Sequence, residues 1–366
     1  MLLHDRLDPN FDRLLMVLTR KGIPDRIPFV ELLCDAEFMS GMLGEKFPRI
    51  RGIFEHGLFE VSRDIEAEYY RKEIRFWYEA GFDYISVRPF LPFLFSSALA
   101  NDTAVNTRGE RKWQNNEKGG LITTLEDFEK YPWPSADDVD YWNIEFVSKN
   151  LPDGMKIIAT TYGVLETVMW LMGFEAMAFS IYDEPELIER MFNKVGDFFI
   201  KVYKNITQMD NVGAVWMGDD MGYKTATLIA PNQLRKLVFP WTKKVAEIAH
   251  AAGKPFLFHC CGYRESIMED LINEVKIDAI HSFEDVIMPV TEAKKRYGEN
   301  VTILGGVDMD VLGRYPIHEA EIYIDNVITK CAPGGGFAIG SGNSAANYLI
   351  IENYKLMLKK GRLYRY

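Results

Sequence analysis

From about residue 155 onward, short runs of apolar and often β-branched residues alternate with longer stretches whose apolar positions recur at helical spacing. That alternation is the signature of βα units wound around a parallel sheet. The runs expected as strands are 155–160 (MKIIAT), 212–217 (VGAVWM), 255–259 (PFLFH), 277–281 (IDAIH), 301–304 (VTIL) and 336–340 (GFAIG). Helical periodicity covers 184–209, 232–252, 264–274, 290–297 and 318–330; Pro231 starts the second of these and Gly253 in HAAGKP stops it. Two upstream runs, 27–32 (IPFVEL) and 84–87 (YISV), bring the expected strands to eight. The predicted fold class is therefore α/β, a (β/α)8 TIM barrel. Residues 88–148 are less regular and read as an irregular insertion in the N-terminal third, with a hairpin through ERKWQ (110–114) and GGLITT (119–124). No internal repeat or low-complexity segment stands out, and 1–366 is expected to be a single barrel domain.

Composition narrows the class. With 48% hydrophobic and 26% charged residues in 366, the chain can bury a large core and does not resemble a disordered one. The net charge of -11 is spread without blocks of like charge, which argues against a nucleic-acid partner, because phosphate binding needs a basic patch. The opening MLLHDRLDPNF has neither a basic nor an apolar leader region, and no run approaches the ~18 apolar residues of a spanning helix. A cytoplasmic protein without a membrane partner is expected. Four cysteines in so long a chain are no disulfide framework, and Cys34 and Cys331 read as isolated buried thiols. Cys260 and Cys261 are adjacent, so in extended backbone only one of them shares a face with His259.

In a barrel, reactive groups gather at the carboxyl ends of the strands. That rule marks Asp219 and Asp220 in WMGDDMG, His259 and Cys261 in FHCCGY, Glu284 and Asp285 in HSFED, Asp308 in GGVDMD, and Ser341 and Asn343 in GSGNS. Asp219, Glu284 and Asp308 are the catalytic candidates, and Ser341 and Asn343 the cofactor-binding ones. His259 and Cys261, two apart, can face one cavity, and imidazole with thiolate is a natural zinc pair. The third ligand must come from another strand end, with Glu284, Asp219 and Asp308 as the choices and water completing an open site. Ordinary explanations stand beside these. A histidine packed on a buried cysteine needs no metal, and two aspartates before a glycine are common turn and cap chemistry, which weighs more on Asp220 than on Asp219. His281 reads as hydrogen-bonded structure, and APGGGF (332–337) as a tight turn, since it does not lie between strand and helix.

The segments DRIPFVEL, GERKWQNNEKGGLITTLEDFEKYPWP, GDDMGYKTATLIAPNQLRKLVFPWTKKVAEIAHAAGKPFLFHCCG, HSFED, LGGVD and GSGNSAANYLIIENY together resemble the uroporphyrinogen decarboxylase superfamily, over nearly the whole chain. The resemblance implies one of two chemistries: metal-free decarboxylation of a porphyrinogen, or zinc-dependent methyl transfer to or from a corrinoid carried by a partner protein. In the methylcobamide:thiol methyltransferases of that superfamily, a His-x-Cys-Gly segment and a later cysteine hold the zinc. His259, Cys261 and Gly262 match the first element, whereas Asn343 stands where the second cysteine is expected. A carboxylate must then complete the site, with Glu284 favoured, and the harder donor set is expected to hold zinc more weakly, so that it is partly lost on purification.

The decarboxylases resemble one another in an Arg-Gln-Ala-Gly-Arg segment after the first strand, whose arginines grip substrate carboxylates. Here that region reads ELLCDAEFMSGMLG, without arginine. Methyl transfer on a small methylated substrate or thiol is therefore the favoured expectation, with a corrinoid-binding protein as partner. Decarboxylation of a tetrapyrrole or other carboxylate is the alternative, and a non-catalytic binding barrel the third reading. The oligomeric state is left open, a homodimer included.

Overall fold

The structure is a computed structural model describing residues 8–53, 60–101, 110–114 and 119–366. Its strands are β1 (Tyr84–Val87), β2 (Ser97–Asn101), β3 (Glu110–Gln114), β4 (Lys156–Tyr162), β5 (Val212–Gly218), β6 (Phe256–His259), β7 (Ala279–His281), β8 (Thr302–Leu304) and β9 (Phe337–Ala338). Seven of them, in the order β1-β4-β5-β6-β7-β8-β9, form one curled parallel sheet. Parallel strands covered on both faces should be apolar throughout rather than alternating. β1, β6, β7 and β8 are accordingly buried at every position.

The helices between the strands follow the same logic. Helix Pro185–Ile206 begins on a proline, which lacks a donor where none is needed, and buries Leu187, Met191, Val195, Phe198 and Val202 along one stripe. Gly196 lies on that helix because a Cβ there would stand 2.1 Å from the Trp241 ring. Among the described residues no single helix is long and apolar enough to cross a membrane; the apolar pair Val164–Met172 and Phe174–Asp183 bends by 99°.

Four expectations change. Residues 27–32 make no strand of their own, only an isolated parallel bridge from Phe29 to Ile339 on the β9 side. Pro28 has no N–H to give a ladder, and on the other side the Tyr84 hydroxyl occupies both backbone groups of Glu31, donating to its carbonyl at 2.5 Å and accepting from its N–H at 2.7 Å. Ser86 likewise donates to the Leu32 carbonyl. The hairpin also differs, because β3 pairs antiparallel with β2. The GGLI segment docks elsewhere: Gly120 and Ile122 donate to the carbonyls of Met172 and Leu171, and Thr124 then caps helix Leu125–Lys130. Residues 115–118, between the two expected hairpin arms, lie outside the described ones.

The helix expected over 232–252 is two, Pro231–Leu237 and Phe239–Ala251. Pro240 breaks it, since its ring cannot follow the carbonyl four residues back. Residues 264–274 form three short turns of different pitch in place of one helix.

Candidate metal centre

The register of the sheet assembles the site. Tyr162 pairs with Gly218, Gly218 with His259, and His259 with His281, so these four residues stand at one level across the strand ends. Two residues beyond the Gly218–His259 pair, Asp220 and Cys261 leave the sheet side by side. The Cys261 N–H donates to Asp220 Oδ1 at 2.7 Å. His259 Nε2 lies 3.2 Å from Cys261 Sγ and 3.5 Å from Asp220 Oδ1. One donor atom from each of Asp220, His259 and Cys261 falls within 4.8 Å of the other two; among the described residues no other trio of His, Cys, Asp or Glu does so.

Hydrogen-bonding partners determine which nitrogen of His259 is free. His281 Nε2 lies 3.2 Å from the Ser341 carbonyl, which can only accept, so that nitrogen carries the proton. A neutral His281 then has a bare Nδ1, which stands 2.7 Å from His259 Nδ1 and accepts its proton. The lone pair of His259 is left on Nε2, facing Cys261 and Asp220. Both rings are held neutral: burial pushes His259 down to about 3, with the charges of Arg264 and Arg88 adding to it. Burial, with His259 alongside, also puts His281 well below its ordinary value. An imidazole fixed in tautomer by a second group is the arrangement of a metal ligand.

The other two donors carry the cost of burial. Cys261 is raised well above the ordinary thiol value by burial and then by Asp220, and Asp220 itself is raised by burial. A divalent cation between them would reverse both directions, since each would bind deprotonated. Asn343 completes the surroundings. Its Nδ2 donates to Cys261 Sγ at 3.2 Å, and its Oδ1 accepts from the Ser344 N–H at 2.8 Å, which settles the amide's orientation. A thiol, an imidazole lone pair and a carboxylate converging at these distances suit zinc.

The expected site residues fall into distinct positions. His259 and Cys261 come together as expected, and the carboxylate beside them is Asp220, where Glu284 was favoured. Glu284 lies three residues beyond β7, in a turn that its own carbonyl closes by accepting from Ile287 and Met288. There it lines a neighbouring pocket with Tyr263, Ser282 and Tyr297, and it is not part of the donor trio. Asp219 is fully buried and accepts from the Leu165 and Glu166 N–H groups at 3.1 and 2.9 Å, at the start of helix Val164–Met172. Burial raises it to about 7 against those two bonds. Asp308 caps helix Met309–Arg314 through Asp310 and also accepts from the Asp285 N–H. Ser341 gives its N–H to the buried Glu31, its hydroxyl lies 2.6 Å from the same carboxyl, and its carbonyl faces His281.

Sequence reasoning passed over three residues of this site. Asp220 falls under the strand-end rule but turn chemistry weighs against it there, although it stands two past the end of β5 just as Cys261 stands two past the end of β6. His281 has the look of hydrogen-bonded structure in the sequence, and one of its two hydrogen bonds is to His259. Glu31 lies in the run expected as a strand, where nothing in the sequence marks it as a site residue.

A family model for uroporphyrinogen decarboxylase (URO-D) matches residues 120–362. No curated protein matches the chain in sequence. Among solved structures, a methyltransferase from Methanosarcina mazei superposes with a TM-score of 0.65 at 13% identity, covering 96% of this chain and 97% of its own. A Listeria monocytogenes protein described as a vitamin-B12-independent methionine synthase is more distant, with a TM-score of 0.48, 12% identity, and coverage of 93% of this chain and 96% of its own.

Proposed function

The chain belongs to the uroporphyrinogen decarboxylase (URO-D) family, and on that footing we propose that it is a zinc-dependent methyltransferase. The methyl group moves between a small methylated substrate, or a thiol, and a corrinoid carried by a partner protein in the cytoplasm. The observation that carries this reading is the convergence of Asp220, His259 and Cys261 within 4.8 Å, with the His259 lone pair turned toward the other two donors. The structural likeness to the Methanosarcina methyltransferase supports the fold on which such chemistry would rest. The bridge from Phe29 to Ile339, with the Tyr84 and Ser86 bonds on the opposite edge, supports reading the curled sheet as a closed (β/α)8 barrel whose mouth holds the site.

Zinc bound there would stabilise negative charge developing on the oxygen, nitrogen or sulfur that loses the methyl group, or would hold a thiol acceptor as thiolate. His259, Cys261 and Asp220 are the residues that would hold it. His281 holds the His259 ring in its binding tautomer by accepting at Nδ1, and the Ser341 carbonyl in turn holds His281. Asn343 orients the Cys261 sulfur by donating to it. Asp219 ties the loop carrying Asp220 to the start of helix Val164–Met172, so the carboxylate donor sits on a rigid support.

The test is methyl transfer with free methylcobalamin standing in for the partner. Zinc-reconstituted protein, methylcobalamin and 2-mercaptoethanol should show the spectral change of demethylation, and Cys261→Ser should not. No transfer by wild type in either direction, with thiols or with methylated amines, ethers and thioethers as donors, would overturn the reading.

A further inference from the structure

β1 ends at Val87, and the next residue, Arg88, lies in the stretch that read as irregular from sequence. Val87 pairs with Ala159 and Thr160 pairs with Trp216, so Arg88 leaves the sheet at the level of those two residues. Its guanidinium has no hydrogen-bond acceptor or ion-pair partner among the described residues, and its Nε is buried. Three more buried polar atoms without a partner stand on the adjoining strands: Thr160 Oγ1 and Tyr162 Oη on β4, and Trp216 Nε1 on β5. Four of the eight such atoms among the described residues therefore fall on, or one residue beyond, three adjacent strands, immediately beside and below the His259 level. Native interiors leave few polar atoms unpaired, so a cluster of this kind points to a bound group.

The charges around Arg88 narrow what that group is. The other guanidinium near His259, Arg264, donates from both terminal nitrogens to the carbonyls of Cys260, Gly262 and Ser282. Arg88 is not engaged, and it is near enough to His259 and Tyr162 for its positive charge to act on both. Glu166 is the acidic side chain whose charge acts on Arg88, and Asp219 and Asp220 act on Glu166 in turn. A dianion such as phosphate would be repelled there, whereas a planar guanidinium fork matches one carboxylate.

We infer that Arg88, with the Tyr162 hydroxyl beside it, seats a carboxylate of the substrate, so that the compound presented to Asp220, His259 and Cys261 is a small organic monocarboxylate. The use made of that compound rests on the methyl-transfer reading; its binding does not, because neither Arg88 nor Tyr162 is a metal donor. Direct binding to chelator-treated protein therefore tests the inference by itself. Acetate, butyrate and benzoate are titrated calorimetrically at neutral pH, each beside its uncharged amide.

At least one carboxylate should bind saturably at one site, with its amide bound far more weakly. Arg88→Met should weaken that carboxylate by about tenfold or more, the usual loss when a charged hydrogen-bond partner is removed. Arg88→Lys keeps the charge without the fork and should fall between, and Tyr162→Phe should cost a smaller factor, so the test survives if Arg88→Met does not fold. Failure of all three carboxylates to bind wild type, or equal binding by wild type and both Arg88 variants, would overturn the inference. Methyl transfer with such a negative titration would sink this inference alone, and a positive titration without methyl transfer would sink the methyltransferase reading alone.

Discussion

Glu31→Gln should leave the protein folded and remove a pH dependence that wild type carries. Glu31 is fully buried where the two edges of the curled sheet approach each other. Its Oε1 accepts from the Ser341 N–H at 2.8 Å and from the Tyr354 hydroxyl at 3.1 Å. Ser341 Oγ is 2.6 Å from Glu31 Oε2 and 2.5 Å from the Asn343 carbonyl oxygen. A hydroxyl has one proton and the carbonyl only accepts, so the Oγ proton goes to Asn343 and the carboxyl must supply the other. The geometry thus calls for a protonated Glu31, in agreement with burial raising it from 4.5 to about 8 against its hydrogen bonds.

A carboxyl whose folded pKa is raised contributes stability that is complete below its unfolded pKa and is lost as pH rises through the folded one. At about 1.4 kcal/mol per pKa unit, that shift should cost wild type roughly 3 kcal/mol between about pH 5 and about pH 8. Glutamine keeps every contact, its amide N–H replacing the carboxyl proton toward Ser341 and its oxygen accepting from Ser341 and Tyr354. Nearby titrating groups such as Cys34, Glu73 and Tyr84 are common to both proteins and cancel to first order. Urea denaturation of the two across that range should show the variant gaining on wild type by about that amount. Parallel stability curves would refute the assignment, because Glu31 would then ionise like an ordinary carboxylate.

Three further outcomes follow from the site. His281→Phe should weaken zinc about 10–100-fold in a chelator competition, with His281→Gln recovering part of the loss, since only the acceptor for His259 Nδ1 is at stake; unchanged affinity would deny His281 a positioning role. Gly163→Ala would put a Cβ 2.1 Å from Asp219 Cγ, with Asp219 fully buried, and should lower the urea midpoint by an equivalent of about 1–3 kcal/mol; an unmoved midpoint would mean that the loop bearing Asp219 and Asp220 is not packed as described. Incubation with uroporphyrinogen should release no carbon dioxide at a meaningful rate, given the absence of arginine over 31–44, and efficient formation of coproporphyrinogen would contradict this.

Local pattern carried the fold a long way. Strand 84–87 and helix 290–297 end where periodicity places them, because their boundaries depend on burial and helix propensity along a few neighbouring residues. Residues 27–32 have the same apolar look and form only a bridge, since hydroxyls from β1 occupy backbone groups that a ladder would need; no local pattern reveals a partner more than fifty residues away. The site divides in the same way. His259 and Cys261 were legible because two-residue spacing in extended chain is a local fact. Asp220 was not, because its place depends on Gly218 pairing with His259 in the sheet. The roles of His281 and Arg88 likewise rest on register and on which neighbours are already engaged, neither of which is written in consecutive residues.

Elemental analysis after reconstitution and desalting shows whether Asp220, His259 and Cys261 hold a zinc ion. Wild type is compared with His259→Ala, Cys261→Ser and Asp220→Asn, and with Glu284→Gln as the carboxylate outside the trio. Close to one zinc per chain is expected in wild type and in Glu284→Gln, and almost none in the other three. No zinc in wild type, or unchanged zinc in His259→Ala and Cys261→Ser, would contradict that expectation and leave these side chains as packed, hydrogen-bonded structure.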